Sequence, residues 1–139
     1  MSFPRFFRFF ALSSINPQQG KVLVNQLDRI VVGFAKLTDF YIAKRKYGCI
    51  LWLAVHPNYR QKGIASGLVQ AGIEDLKHAG AEAIFVSIQR RNTASLATFR
   101  KKGFRDMNFT VLWLVFSWRI FGFYRAIWYA PSEVVLMYN

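Results

Sequence analysis

The stretch Leu51-Trp-Leu-Ala-Val-His-Pro-Asn-Tyr-Arg-Gln-Lys-Gly-Ile-Ala-Ser66 decides the fold of this 139-residue chain. It runs apolar to Val55, passes through a basic turn that contains Gly63, and then enters a helical pattern. That pattern sets Ile64, Leu68, Ala71, Ile73 and Leu76 on one face. A strand that enters a helix in this way is shaped to hold an anion, because the N–H groups of a helix's first turn point outward with partial positive charge. Gly63 lets the backbone come close, Arg60 and Lys62 add full charges, and Ala65 presents only a methyl group. The same residues also fit an ordinary strand-turn-helix with a solvated basic turn, so a second signal has to choose.

Moving outward, the helix is predicted from Ile64 to Ala79, with Lys77 and His78 near its negative end and Gly80 as its stop. Ala83 to Gln89 reads as a buried strand, parallel to the strand ending at Val55 and reached by this helical crossover. The second signal follows at once, in Asn92-Thr-Ala-Ser-Leu-Ala-Thr-Phe-Arg-Lys-Lys-Gly-Phe104. Asn92 is suited to cap a helix, Leu96 and Phe99 share one face of it, and Gly103 ends it.

Together these stretches resemble the GCN5-related N-acetyltransferases. That family's pyrophosphate signature is Arg or Gln, two residues, Gly, one residue, then Gly or Ala; Arg60, Gly63 and Ala65 match it. Val55, Pro57, Tyr59 and Leu68 agree at the flanks. Asn92 to Phe104 resembles the family's Asn-x-x-Ala-x-x-x-Tyr helix that ends in Gly-Phe, with Ser95 in place of the alanine and Phe99 in place of the tyrosine. The resemblance covers about residues 20–139. It implies a single α/β domain over 1–139 with a mixed, mainly antiparallel central sheet flanked by helices. It also implies acetyl-CoA as cosubstrate, no metal, and direct acetyl transfer to an unidentified amine in a ternary complex.

The site implied by the resemblance is specific. Arg60, Lys62 and the amides of Gln61, Lys62, Gly63, Ile64, Ala65 and Ser66 would hold the pyrophosphate, and Asn92 would contact the pantetheine arm. Backbone N–H groups of Leu53 and Val55, where the strand splays from its neighbour, would polarise the thioester carbonyl. Phe99 can pack against the coenzyme but has no proton for the departing thiolate, and general acid help is worth ~10²- to 10⁴-fold. Tyr124 is the candidate substitute.

Ile50 to Val55 contain no ionisable residue, so the base is left among Asp39, Tyr41, Tyr124, Tyr129 and Glu133; His56, beside Pro57, is expected to cap the turn. A non-catalytic coenzyme-binding module, held at a membrane surface or on a partner protein by aromatic segments, fits the same gaps.

Nineteen basic against seven acidic side chains give a formal charge of +12, which favours anionic partners: the coenzyme, nucleic acid or ribosome, or an anionic membrane. Cys49 is the only cysteine, so no intrachain disulfide forms, and a cytoplasmic protein, soluble or peripheral at a membrane, is expected. No cluster of His, Cys or acidic residues has metal-ligand spacing.

The first ten residues carry five phenylalanines and two arginines, and residues 1–20 read as a shortened amino-terminal segment with a short amphipathic helix. Lys21 to Leu27 and Arg29 to Leu37 read as a hairpin turning at Asp28. Asp39 to Gly48 is a polar connection, and Cys49 to Val55 is the third strand. Phe109 to Phe116 is expected as a strand, residues 117–131 as an aromatic insertion, and Glu133 to Tyr138 as the closing strand.

A membrane span over 111–130 is disfavoured. Its nine Leu, Ile, Val and Phe residues contribute about 4 kcal/mol, against roughly 5 to 7 for Arg119 and Arg125. The insertion is open to folding over the core in place of the family's amino-terminal wall, to contact with a second copy in a homodimer, or to a membrane surface.

Overall fold

The computed structural model describes residues 7–13, 20–27, 30–60 and 63–139. Their strands are β1 (Phe7–Ser13), β2 (Lys21–Leu27), β3 (Ile30–Ile42), β4 (Arg45–Val55), β5 (Ile84–Gln89), β6 (Arg105–Met107) and β7 (Glu133–Tyr138). They form a sheet in the order β1-β2-β3-β4-β5-β7-β6, in which only β4 and β5 run parallel. The helices are α1 (Ile64–His78), α2 (Thr93–Lys101), α3 (Phe109–Phe116) and α4 (Ile120–Ala126). This is the expected mixed, mainly antiparallel α/β architecture.

The sheet buries both faces, and the alternation of its strands divides the core in two. On β5, Ile84, Val86 and Ile88 point to α1 and α2, while Phe85 points to α3 and α4. The α1 side buries Ile64, Leu68, Val69, Ile73 and Leu76, each worth ~1.5–3 kcal/mol when removed from water. Gly33 brings this helix close: a Cβ there would stand 3.1 Å from both Ile64 and Leu68, so bare backbone lets the first turns of α1 lie on β3. The far face of α1 is polar, with Gln70 donating to Glu74 at 3.0 Å, and Lys21 of β2 pairs with Asp75 at 2.9 Å. On the other side, Phe123 stacks on Phe116 at 4.7 Å and meets Phe85 edge-on at 4.6 Å. The connection between the last two strands thus folds over the core.

Three expectations need correction. Phe109 to Phe116 is helix α3, not a strand: Asn108 Oδ1 accepts the Val111 N–H at 2.9 Å as an N-cap, and Leu112 and Phe116, four apart, face the sheet. A run that is apolar but for Thr110 carries no clear period, so strand and helix read alike. The connection between β6 and β7 therefore spans 108–132 rather than 117–131.

Asp39 to Gly48 is no loose connection either. Strands β3 and β4 continue through it and join at Ala43-Lys44, whose φ angles are 52° and 66°. Phe40, Ile42, Tyr47 and Cys49 face inward there, and Asp39 pairs with Lys46 at 3.4 Å.

Finally, residues 7–13 form β1 instead of a helix, in register from Phe7–Leu27 to Ser13–Lys21, which pairs the outer edge of β2. Residues 1–6, 14–19 and the expected turn at Asp28 lie outside the described residues.

Candidate active site

The site begins with a bulge in β4. Lys36 pairs with Trp52 but Leu37 pairs with Ile50, so Leu51 is the extra residue. Before the bulge the Gly48 N–H points to the β5 side and donates to Ala83 O at 2.9 Å. After it the His56 N–H points to the β3 side and donates to Val32 O at 2.7 Å. Alternation then turns the N–H groups of Leu53 and Val55 away from β3. Among the described residues no strand meets them, because β4 and β5 pair only at Gly48–Ile84 and Cys49–Phe85. The strands fork, and Leu53 and Val55 present backbone polar groups to the gap.

The turn beyond Val55 closes one end of that gap. Arg60 Nε donates to Val55 O at 3.3 Å, which lays the exposed guanidinium across the mouth. His56 Nδ1 accepts the Asn58 N–H at 3.2 Å, so this histidine caps the turn as expected, and its ring meets Tyr59 edge-on at 5.6 Å. Gly63 caps α1 with φ 79° and ψ 7°, a left-handed conformation, and no atom lies within 4 Å of where its Cβ would be. The first helical bond is Gly67 N–H to Gly63 O at 3.0 Å, leaving the N–H groups of Ile64, Ala65 and Ser66 as first-turn donors. The Ile64 side chain is itself buried, so that residue offers only backbone. Gln61 and Lys62 lie outside the described residues.

The other expected site residues lie on several elements. Asn92 is exposed and caps α2, its Oδ1 accepting the Ser95 N–H at 3.2 Å. Phe99 is 1% exposed and perpendicular to Phe104 at 5.0 Å, so its ring belongs to the core. Tyr124 stacks on Tyr129 at 4.4 Å, and burial first, then Tyr129, raises its pKa, so it keeps its proton at neutral pH. It lines a cavity of about 330 Å³ with Arg90, Asp106, Tyr129 and Glu133, over β7 and β6 and at the carboxyl end of β5.

Glu133 Oε1 accepts the Ala130 N–H at 2.7 Å. Asp39 and Tyr41 stand near the β3–β4 turn, at the opposite end of β4 from Val55. Cys49 is fully buried, which pushes its thiol far above its ordinary pKa and matches a packing role.

Sequence reasoning missed three residues beside the fork. Trp52 follows the bulge on the face opposite Leu53, with Lys36 Nζ 4.8 Å above its ring and Trp128 edge-on at 6.4 Å. Trp128 holds a φ of 58°, a conformation that bulky side chains rarely adopt. Ser87 lies on β5 two residues past the last pair with β4, and its buried Oγ has no hydrogen-bond partner. No spacing rule singles out any of them, since a bulge and a fork appear only once strands are paired.

A forked sheet with an anion-shaped turn at the end of its inner strand defines a class of coenzyme-dependent acyl transfer folds. The acetyltransferase (GNAT) family model matches residues 3–104, and the chain belongs to that family. It is 28% identical over 89 residues to an N-alpha-acetyltransferase of Sulfurisphaera tokodaii, covering 63% of this chain and 53% of that protein. It is 31% identical over 82 residues to an N-alpha-acetyltransferase of Saccharolobus solfataricus, covering 58% and 48%. The chain thus spans about half the length of these curated relatives. A crystal structure of the NatC complex bound to Gag peptide and CoA aligns with a TM-score of 0.62 at 21% identity, over 84% of this chain and 69% of that one, a likeness of fold.

Proposed function

We propose that this chain is an N-acetyltransferase that moves the acetyl group of acetyl-CoA to the α-amine of a peptide. The observation that carries the reading is the fork: the N–H groups of Leu53 and Val55 face a gap whose end is closed by Arg60 and the left-handed Gly63 turn. Pyrophosphate on the first-turn N–H groups of α1 and the Arg60 guanidinium directs the pantetheine into the gap, past Asn92.

There the amine nitrogen bonds to the thioester carbonyl carbon, and the oxygen takes the negative charge. The Leu53 and Val55 N–H groups are aimed to donate to it, so the oxyanion is stabilised without a side chain. The C–S bond then breaks, the nitrogen loses a proton and the thiolate gains one. Between Ile50 and Val55, β4 carries no ionisable side chain, so these protons pass through water. Phe99, buried, gives the coenzyme no hydroxyl.

The α-amine acceptor is supported by the names of the relatives, and by Trp52 and Trp128, which offer an aromatic wall beside the fork for an incoming peptide. A cytoplasmic location belongs to the same reading, with the lone cysteine buried as a packing residue. The test incubates the purified chain with acetyl-CoA and peptides of varied amino terminus and locates the acetyl group by mass spectrometry. Acetylation at the α-amine supports the proposal. Coenzyme binding without transfer to any amine would replace it with the non-catalytic module, the reading that the buried Phe99 favours.

A further inference from the structure

Together α3, the single turn Ser117–Arg119 and α4 make a helical hairpin with two apolar faces. Leu112, Phe116, Ile120, Phe123 and Ile127, spaced four, four, three and four residues apart, cover the sheet. The opposite face carries Phe109, Trp113, Leu114, Val115, Trp118 and Phe121, with Leu114 77%, Phe121 69% and Trp118 68% exposed. Helix α1 places Gln70, Glu74 and Lys77 on its outer side. A large apolar outer face is instead the mark of a surface covered in use.

Charge identifies the cover. From Asp106 to Glu133 the sequence has no carboxylate between the two ends, and its only charged residues are Arg119 and Arg125. The Arg119 guanidinium lies 5.0 Å from the centre of the Trp118 ring, at the level of the aromatic face rather than away from it. Tyr41, Trp118, Arg119 and Phe121 rim a depression of about 460 Å³ that reaches Ala43, and exposed Lys44 and Arg45 follow at the β3–β4 turn. Rings and an aliphatic tip, on a hairpin whose own charges are all cationic, complement an anionic lipid surface: apolar groups enter the headgroup layer and cations meet phosphates, while at the neighbouring turn Arg45 already pairs with Glu82 at 3.9 Å and Lys46 with Asp39 at 3.4 Å. The geometry is interfacial. The eight residues of α3 extend ~12 Å, against a hydrocarbon core of ~30 Å. Among the described residues no helix is long and apolar enough to cross a membrane.

We infer that the outer face of the α3–α4 hairpin docks this protein on an anionic membrane surface. Trp113, Leu114, Trp118 and Phe121 enter the lipid, and Arg119, Arg125 and Lys44 meet its phosphates. The inference stands apart from the transferase reading, because none of these residues borders the fork.

The protein carries its own probe: Trp113, Trp118 and Trp128 follow β6, and the fourth tryptophan, Trp52, contacts Trp128. The full chain is mixed with vesicles of phosphatidylcholine alone or with phosphatidylglycerol, and sedimentation and tryptophan emission are read. With the anionic vesicles, co-sedimentation, a blue shift and quenching by brominated acyl chains are expected. Binding to neutral vesicles, or in high salt, should be weaker by about tenfold or more. Leu114→Glu with Trp118→Glu should abolish binding while circular dichroism is unchanged; if that variant misfolds, quenching of the unaltered chain still decides. Equal binding to neutral vesicles, or no quenching, overturns the inference. A dimer that Leu114→Glu dissociates, with no vesicle binding, overturns it in favour of a second copy as the occupant.

Discussion

On one side of the sheet, α1 buries a narrow apolar stripe and turns Gln70, Glu74 and Lys77 outward. On the other, the α3–α4 hairpin buries Leu112, Phe116, Ile120, Phe123 and Ile127 and still leaves seven large apolar side chains exposed on α3, α4 and the turn between them. The first side is complete in itself, since every element covers its apolar face and keeps its polar one. It also carries the Gly63 turn proposed to hold the pyrophosphate, and it falls within the family match over residues 3–104. The second side begins after that match ends. Its inner face serves the fold, while its outer face has the composition of an interface. The difference separates two jobs that a single aromatic segment performs, packing and docking.

The largest expected effect tests whether the hairpin is as integral as α1. Phe123→Ala removes a fully buried ring held by Phe85 and Phe116, and should cost ~3–5 kcal/mol, comparable to the ~2–5 for Leu68→Ala on the other side. Trp118→Ser, on the exposed face, should stay within about 0.5 kcal/mol. Denaturant unfolding checks all three. A hairpin that melts separately, with Leu68→Ala alone moving the main transition, would break the comparison.

The smallest effect concerns the link between the two regions, where Arg100 of α2 grips Asp106 of β6. Nε donates to Oδ1 at 2.9 Å and Nη2 to Oδ2 at 2.7 Å, and this hydrogen bonding holds the Asp106 carboxyl below its ordinary value against a small opposing cost of burial. A depressed folded pKa gives stability that is full above the unfolded value, about 4, and is lost as pH falls through the folded value. The unaltered chain should therefore lose more stability than Asp106→Asn on acidification below about pH 4. Both partners are about half exposed, so the difference is modest, and parallel acid limbs for the two proteins would show the pair to be idle.

What was legible in the sequence follows the same division. Residues 51–66 and 92–104 gave strand, turn, helix and caps, because amphipathic spacing, a left-handed glycine and an asparagine cap are local signals, and the structure places Gly63, His56 and Asn92 as read. The hairpin is not legible as helix, since the six successive apolar residues from Val111 to Phe116 look alike in either conformation and only pairing with the rest of the sheet decides. Strand β3 reads short at Leu37 because Asp39, Lys44, Arg45 and Lys46 suggest a loop, whereas Asp39 and Lys46 alternate with Phe40, Ile42 and Tyr47 along paired strands, Arg45 opens β4 opposite Ile42, and Lys44 occupies the turn. At the site, the fork near Leu53 and Val55 was foreseen from the family resemblance. The bulge at Leu51, the Trp52–Trp128 contact and the orphaned Ser87 hydroxyl depend on register between distant segments, which no local pattern records.

The central claim is that the turn from Arg60 to Ser66 holds the coenzyme. Calorimetric titration with acetyl-CoA, run on the intact chain and on Arg60→Ala, Gly63→Glu, tests it most directly. Gly63 has open space around it and a positive φ, so the added carboxylate would stand on the phosphate path rather than in the core. Saturable binding by the intact chain, lost in the variant while its circular dichroism is unchanged, is the predicted result. Equal affinity in both, or no binding by the intact chain, would contradict the claim and leave the turn as scaffold.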